Sequence, residues 1–307
     1  MPDAPPSAAA TLARATRVKT TPLILAPVCV GAALAADRTD RFSWAVLGLS
    51  LVGAAAMHLA AMVVNDIFDA RSGADRIAGM DRTGIVTASG VIDAGEISPR
   101  GMTALAAALY AVAAVIGGVL AIDRGSAVLV FGIAGAALAV GYVAPPVRYG
   151  YRGHGLGEAG LFAAYGLLPV AGAYVVQAGE LPAEAWWAGV VPGLLTVLVY
   201  HHGNLLHHRA DKAVRKMTPA AILGPEGALL VGFVGIVAAE AGLIVQVALG
   251  LFPAGALVGL AAGIPMAAAW TRAFRDPNPQ RILNLLGTSL GAAVLTAAVL
   301  AAALALG

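Results

Sequence analysis

The 307-residue chain is 59% apolar and only 12% Asp, Glu, Lys or Arg, with a mean hydropathy of +0.83, which excludes an ordinary water-soluble globule. Its net charge of +2 calls for no nucleic-acid partner, and a single cysteine, Cys29, excludes a disulfide framework. Abundant Gly and Ala suit helices packed closely in lipid, and 6% aromatic content leaves little for the girdles of a β-barrel, so the expectation is an all-α polytopic membrane protein.

In chain order, residues 1–10 are polar, rich in Ala and Pro, and lack the apolar core of a cleaved signal. Residues 1–15 are therefore expected to be a flexible tail ahead of a single helical domain over 16–307. Apolar runs broken by Pro, Gly and charge predict about nine spans, near 20–36, 43–64, 101–121, 126–143, 157–177, 186–206, 225–249, 252–271 and 281–306. With the N-terminus in the cytoplasm, sixteen of the nineteen Lys and Arg residues fall inside, and only Arg38, Arg41 and Arg124 outside. This bias predicts a multi-pass protein of the cytoplasmic membrane with its polar chemistry on the cytoplasmic side.

Two segments on that side carry the chemistry. In NDIFDARSGAD after the second span, Asp66 and Asp69 are three apart and project from one helical face, with Asp75 beyond them, so they suit a shared hard divalent ion. Magnesium held by one or two carboxylates completes its shell with phosphate oxygens, which points to a diphosphate-bearing substrate. In HHGNLLHHRADKAVRK at the end of the sixth span, Asn204, His208 and Asp211 share one stripe and His207 neighbours Asn204 and Asp211. Histidines at a membrane interface often only solvate a helix end, and that alternative stands for His201, His202, His207 and His208. His58 lies on the stripe of Asn65 and Asp69, either as a ligand deeper in the cavity or as a satisfied core residue. Between spans four and five, Arg148 and Arg152 beside Tyr142 and Tyr149 can grip an anion, as can Arg82 and Lys216. Arg17 and Lys19 either complete that site or anchor in headgroups, Glu158 caps a helix or orients a phenol, and Glu240 sits alone in the seventh span.

RVKTTPLILAPVCVGAALA, NDIFDARSGAD, ASGVIDAGEIS and YVAPPVRYGYRGHGLGEAGLFAAYGLLPVAGAYVVQAGELP, in this order, make the chain resemble the UbiA-type intramembrane aromatic prenyltransferases, nearest to the 1,4-dihydroxy-2-naphthoate branch of menaquinone synthesis. The resemblance covers nearly the whole chain. It implies nine helices around a central cavity open laterally to lipid, Mg²⁺ holding the diphosphate of a polyprenyl donor, and an aromatic, naphthoate- or quinone-precursor-like acceptor. Carried over, Asn65, Asp66 and Asp69 match the first motif, with Asp75 as its outer acid. The second motif reads roughly NNxRDxxxDxxxGKxT in that branch; Asn204, Asp211, Lys216 and Thr218 match it, while His207 stands at its first Asp, Leu206 at its Arg and Arg215 at its Gly. The catalytic candidates are Asp66, Asp69 and Asp211; the substrate-binding candidates are Asn65, Asn204 and Lys216 from the resemblance, with Arg82, Arg148, Tyr149 and Arg152 from what their side chains can do.

His207 is the departure with physical consequences, because neutral imidazole is a poor ligand for Mg²⁺ and a good one for Fe, Zn or Cu. His58, Asp66, Asp69, His207, His208 and Asp211 thus define an alternative transition-metal site in a divergent membrane enzyme. A non-enzymatic metal- or quinone-binding protein is the last reading.

Overall fold

Local start and stop signals set the helix boundaries. The computed structural model describes residues 7–73, 77 and 88–307. A short α1 (Ala8–Ala15) precedes α2 (Pro22–Arg38), α3 (Trp44–Ser72), α4 (Pro99–Arg124), α5 (Ala127–Val143), α6 (Leu156–Ala178), α7 (Val190–Ala213), α8 (Pro219–Ala248), α9 (Gly263–Arg275) and α10 (Pro279–Leu306). No strand occurs among the described residues. Among the described residues eight segments are long and apolar enough to cross a membrane, and α5 is an apolar helix of 17 residues; at 1.5 Å per residue it reaches about 26 Å, close to the ~30 Å hydrocarbon core. Ser98, Thr218 and Asn278 each cap a helix by accepting the backbone N–H three residues on, and each is followed by a proline whose fixed φ suits the first helical position.

Three boundaries differ from the sequence expectation. Residues 8–15, expected in the tail, form α1, capped by Ser7 and tied by Arg14 and Thr11 to Glu96. Helix α3 continues through the acidic motif to Ser72 and stops where Gly73 turns left-handed (φ 79). Helix α7 continues to Ala213, so both polar clusters lie on helix ends, as their shared stripes predict, and the two helices run past the expected bounds at 64 and 206. Further along, Gly224 (φ 73) breaks α8 near its start, and residues 254–262 form a 3₁₀ segment before α9.

Helices α2, α6 and α7 make a hub of close backbone contacts. A Cβ on Gly31 of α2 would lie 2.0 Å from the Val170 carbonyl oxygen of α6, and one on Gly166 of α6 would lie 2.5 Å from Gly189 and Gly193 at the start of α7. The largest buried core spreads from this hub over α8, α9 and α10. Helices α3, α4 and α5 contribute to two smaller clusters instead, and the space they leave against the hub is where the site forms.

Candidate active site

A cavity of about 410 Å³ is lined by α2 to α7. Its lining residues on α3 run from Leu49 through Gly53, Met57 and His58 to Asn65 and Asp69, about 30 Å of helix, comparable to the bilayer's apolar depth. One end is polar, with Arg17, Asn65, Asp69, Asn204, Asp211 and Lys216; the other is apolar, with Ile116, Leu120, Val128, Phe131 and Val176.

At the polar end, Asn65 Nδ2 donates to Asp69 Oδ2 at 2.6 Å and the Tyr151 hydroxyl donates to Asp69 Oδ1 at 2.9 Å. Asp69 is thereby fixed with both oxygens engaged. Asp66 points elsewhere: it pairs with Arg17, accepts the Ser89 amide at 3.3 Å, and is not among the cavity-lining residues. Residues three apart on a helix differ by about 60° in direction, which here separates the two acids expected to share a face. Arg17 holds a left-handed backbone (φ 49), a conformation costing a non-glycine residue about 1–3 kcal/mol, so the ion pair helps fix a strained turn.

On α7, Asn204, His207 and Asp211 line the cavity. Buried Asp211 lies 3.5 Å from Lys216 Nζ and accepts from the Thr218 hydroxyl at 3.2 Å. Tyr151 joins the two clusters: its hydroxyl is on Asp69, its ring lies 5.7 Å from Lys216 Nζ, and the Arg148 guanidinium covers the ring at 4.0 Å. Burial, then the Asp69 carboxylate, pushes the Tyr151 phenol up, keeping it protonated as a donor. Burial opposes the charge on Lys216, but Asp211, with Tyr142, Asp69 and Tyr151 around it, outweighs burial and holds the ammonium above its ordinary value. Tyr149 also lines the cavity, donates to the Leu138 carbonyl at 2.8 Å and is pushed up to about 12 by burial.

Several expected site residues do not reach this end of the cavity. Arg152 donates to the Pro146 carbonyl at 2.9 Å and is exposed. Both ring nitrogens of His58 are engaged by hydroxyls, those of Thr20 and Tyr165, each at 2.9 Å, so it has no lone pair for a metal. His208 faces back on its own helix, with Nδ1 2.8 Å from the Leu205 carbonyl. His201 and His202 point between helices, to the Ala228 carbonyl at 2.7 Å and the Ser289 hydroxyl at 2.8 Å. Arg148 acts through the Tyr151 ring rather than as part of the cavity lining. Asp75 and Arg82 lie outside the described residues. Tyr151 was missed by sequence reasoning. YGYR offers two tyrosines two apart, and only the 3₁₀ turn Tyr149–Tyr151 decides which one meets the acid.

Carboxylates of Asp69 and Asp211, with the amide oxygens of Asn65 and Asn204, form an oxygen-donor set that fits a hard divalent ion taking its remaining ligands from a diphosphate. Among the described residues no three His, Cys, Asp or Glu side chains converge to hold a metal on their own.

The fold and site define a multi-pass helical membrane protein with an acidic mouth over a lipid-sized apolar groove. Residues 24–286 match the UbiA prenyltransferase family, and the chain belongs to that family. Over 200 residues, 64% of this chain, it is 26% identical to the 2-carboxy-1,4-naphthoquinone phytyltransferase of Synechocystis, and the match spans 61% of that relative's length. Among solved structures, the apo UbiA homologue of Aeropyrum pernix superposes with a TM-score of 0.70 at 21% identity, covering 90% of this chain and 96% of that one. The Archaeoglobus fulgidus UbiA homologue bound to GPP and Mg²⁺ gives 0.65 at 16% identity, covering 95% and 99%. These two likenesses are of fold.

Proposed function

We propose that this protein transfers a polyprenyl group from a polyprenyl diphosphate to a hydroxylated aromatic acceptor within the membrane. The observation that carries the reading is the meeting of Asn65 and Asp69 with Asn204, Asp211 and Lys216 at one end of an otherwise apolar cavity. Its support from relatives is the family match and the naphthoquinone prenyltransferase relative.

In this reading Asp69, Asp211, Asn65 and Asn204 would hold Mg²⁺, and the ion would supply positive charge to stabilise the leaving diphosphate. Lys216 and Arg17 line the same end and add fixed positive charge where negative charge develops. Tyr151 keeps Asp69 aimed by donating to one of its oxygens. The prenyl tail lies along Ile116, Leu120, Val128 and Phe131, and this dry wall protects the allylic cation from water until an electron-rich ring attacks it. The acidic mouth faces the cytoplasm in this reading, which the distribution of Lys and Arg supports.

Purified protein given geranylgeranyl diphosphate, 1,4-dihydroxy-2-naphthoate and Mg²⁺ is expected to form the prenylated naphthoate and release diphosphate, both stopped by chelation. Neither product nor diphosphate release under those conditions would refute the reading. Cysteines placed at Ser72 and Met217 in a Cys29→Ala background are expected to label from the cytoplasmic side, and labelling from opposite sides would refute the topology.

A further inference from the structure

Midway along the cavity, four polar side chains from four elements interrupt the apolar wall: Thr20, His58 of α3, Tyr165 of α6 and Tyr200 of α7. Polar groups at such depth are costly without partners, and these form one chain whose direction can be worked out. The Thr20 hydroxyl donates to the Arg17 carbonyl at 2.8 Å, so toward His58 Nε2, 2.9 Å away, its oxygen can only accept. His58 therefore carries its proton on Nε2, and Nδ1 accepts from the Tyr165 hydroxyl at 2.9 Å. Tyr165 has then spent its hydrogen, and Tyr200 donates to it at 2.8 Å. Every donor is used, and the chain ends at the Tyr200 oxygen, which offers lone pairs to a ligand. A π-helical segment, Ala163–Leu167, places Tyr165 in this register, and such bulges within α-helices are frequent at functional sites.

We propose that Tyr200, Tyr165 and His58 are a proton relay that takes the hydroxyl proton of the acceptor, an inference that rests on the aromatic-acceptor reading above. It also specifies the acceptor: a chain ending in a lone pair recognises a hydroxyl donor, not a carboxylate or quinone carbonyl. His58 lies about 10 Å along α3 from Asn65, leaving space for the reacting carbon and a ring between the acidic mouth and Tyr200. As the acceptor O–H bond breaks, its proton passes to Tyr200, the Tyr200 proton to Tyr165, and the Tyr165 proton to His58 Nδ1. The electron pair left on oxygen enriches the ring, a ring carbon bonds the allylic carbon, and the carbon–oxygen bond to diphosphate breaks. The hydrogen on the alkylated ring carbon then leaves as a proton to the departing diphosphate. His58 returns its proton along the chain to the acceptor oxygen, restoring the aromatic hydroxyl and the relay.

The test uses the full-length protein with geranylgeranyl diphosphate, Mg²⁺ and two acceptors, 1,4-dihydroxy-2-naphthoate and a chloro-substituted analogue with a more acidic hydroxyl. Tyr165→Phe and His58→Gln are expected to lower kcat on the parent acceptor about a hundredfold, with the donor KM unchanged and the deficit smaller on the acidified analogue. A solvent deuterium effect on kcat in the wild type should vanish in Tyr165→Phe. Equal deficits on both acceptors, wild-type rates in the variants, or a donor KM rising in step with the loss would each overturn the relay alone. Transfer to neither acceptor by the wild type would overturn the relay together with the aromatic reading.

Discussion

The acidic ends of α3 and α7 occupy the same end of one cavity but neutralise their charge in different ways. At the α7 end, Asp211 is served by Lys216 and Thr218 from the turn that follows it, five and seven residues along the chain. At the α3 end Asn65 is the one local partner among the described residues, and the others are remote: Tyr151 reaches Asp69 across 82 residues, and Arg17 reaches Asp66 across 49. The side chains that serve Asp211 thus come from the turn after its own helix, whereas the α3 end is ordered only when α1, the turn at Tyr149–Tyr151 and the segment at Ser89 have assembled around it. Within α3 there is a second contrast, because Asp69 faces the cavity while Asp66 secures Arg17.

The largest effect separates those two acids. Asp69→Asn should lower kcat by about 10²–10³, the usual result of removing a group that stabilises developing charge. Asp66→Asn should cost roughly tenfold, because it leaves Arg17 without its carboxylate but removes no cavity ligand. Diphosphate-release kinetics on both variants decide the matter. Equal losses would mean that Asp66 also meets the donor.

This division was only partly legible in the sequence. Helix number and rough position followed from hydropathy, since long apolar runs have few alternatives. The Asn65 and Asp69 stripe and the Asn204 and Asp211 stripe also followed, because each is a property of one helix. What did not follow depends on distant contacts. The direction of Asp66 is decided by Arg17, the use of Tyr151 rather than Arg152 by a single 3₁₀ turn, and the folding of residues 8–15 by Glu96. Four histidines within eight residues suggested a metal cluster, yet successive residues on a helix point about 100° apart, and His201, His202 and His208 find separate partners.

Stability should distinguish the two ends next. The side chains of Lys216 and Asp211 are only 11% and 4% exposed, so Lys216→Met leaves a buried carboxylate uncompensated at a cost of about 3–5 kcal/mol. Adding Asp211→Asn should recover much of that loss in detergent unfolding, and a double variant as unstable as the single would break the local-pair account. A raised Lys216 pKa means the pair's contribution is complete below the unfolded lysine value and declines only as pH rises through the folded one. Melting temperature should therefore show no dependence on this pair in near-neutral buffers. Tyr151→Phe removes one hydrogen bond to a carboxylate while preserving the ring under Arg148, and should lower kcat about tenfold, by roughly 1.5 kcal/mol. A loss as large as that of Asp69→Asn would give the Tyr151 hydroxyl a direct part in the chemistry.

The smallest effect lies at the rim of the α3 end. Arg14 and Thr11 of α1 bind Glu96, and Ala15 at the end of α1 packs in the cluster of Val63, Val64 and Ile67, two residues before Arg17. The Arg14 hydrogen bond holds the Glu96 carboxyl below its ordinary value against the opposing pull of burial. A depressed folded value means the tie is present above the unfolded carboxylate pKa and lost as pH falls through the folded one. Because the pair is exposed, its release should leave the melting temperature unmoved. It should instead quicken amide exchange in α1 and at Arg17, and Glu96→Gln should reproduce that exchange pattern at neutral pH. The α7 end, where the side chains that serve Asp211 lie within seven residues of it, should exchange identically in both proteins. Equal quickening at Asp211 and Lys216 would show that the two ends order together rather than separately.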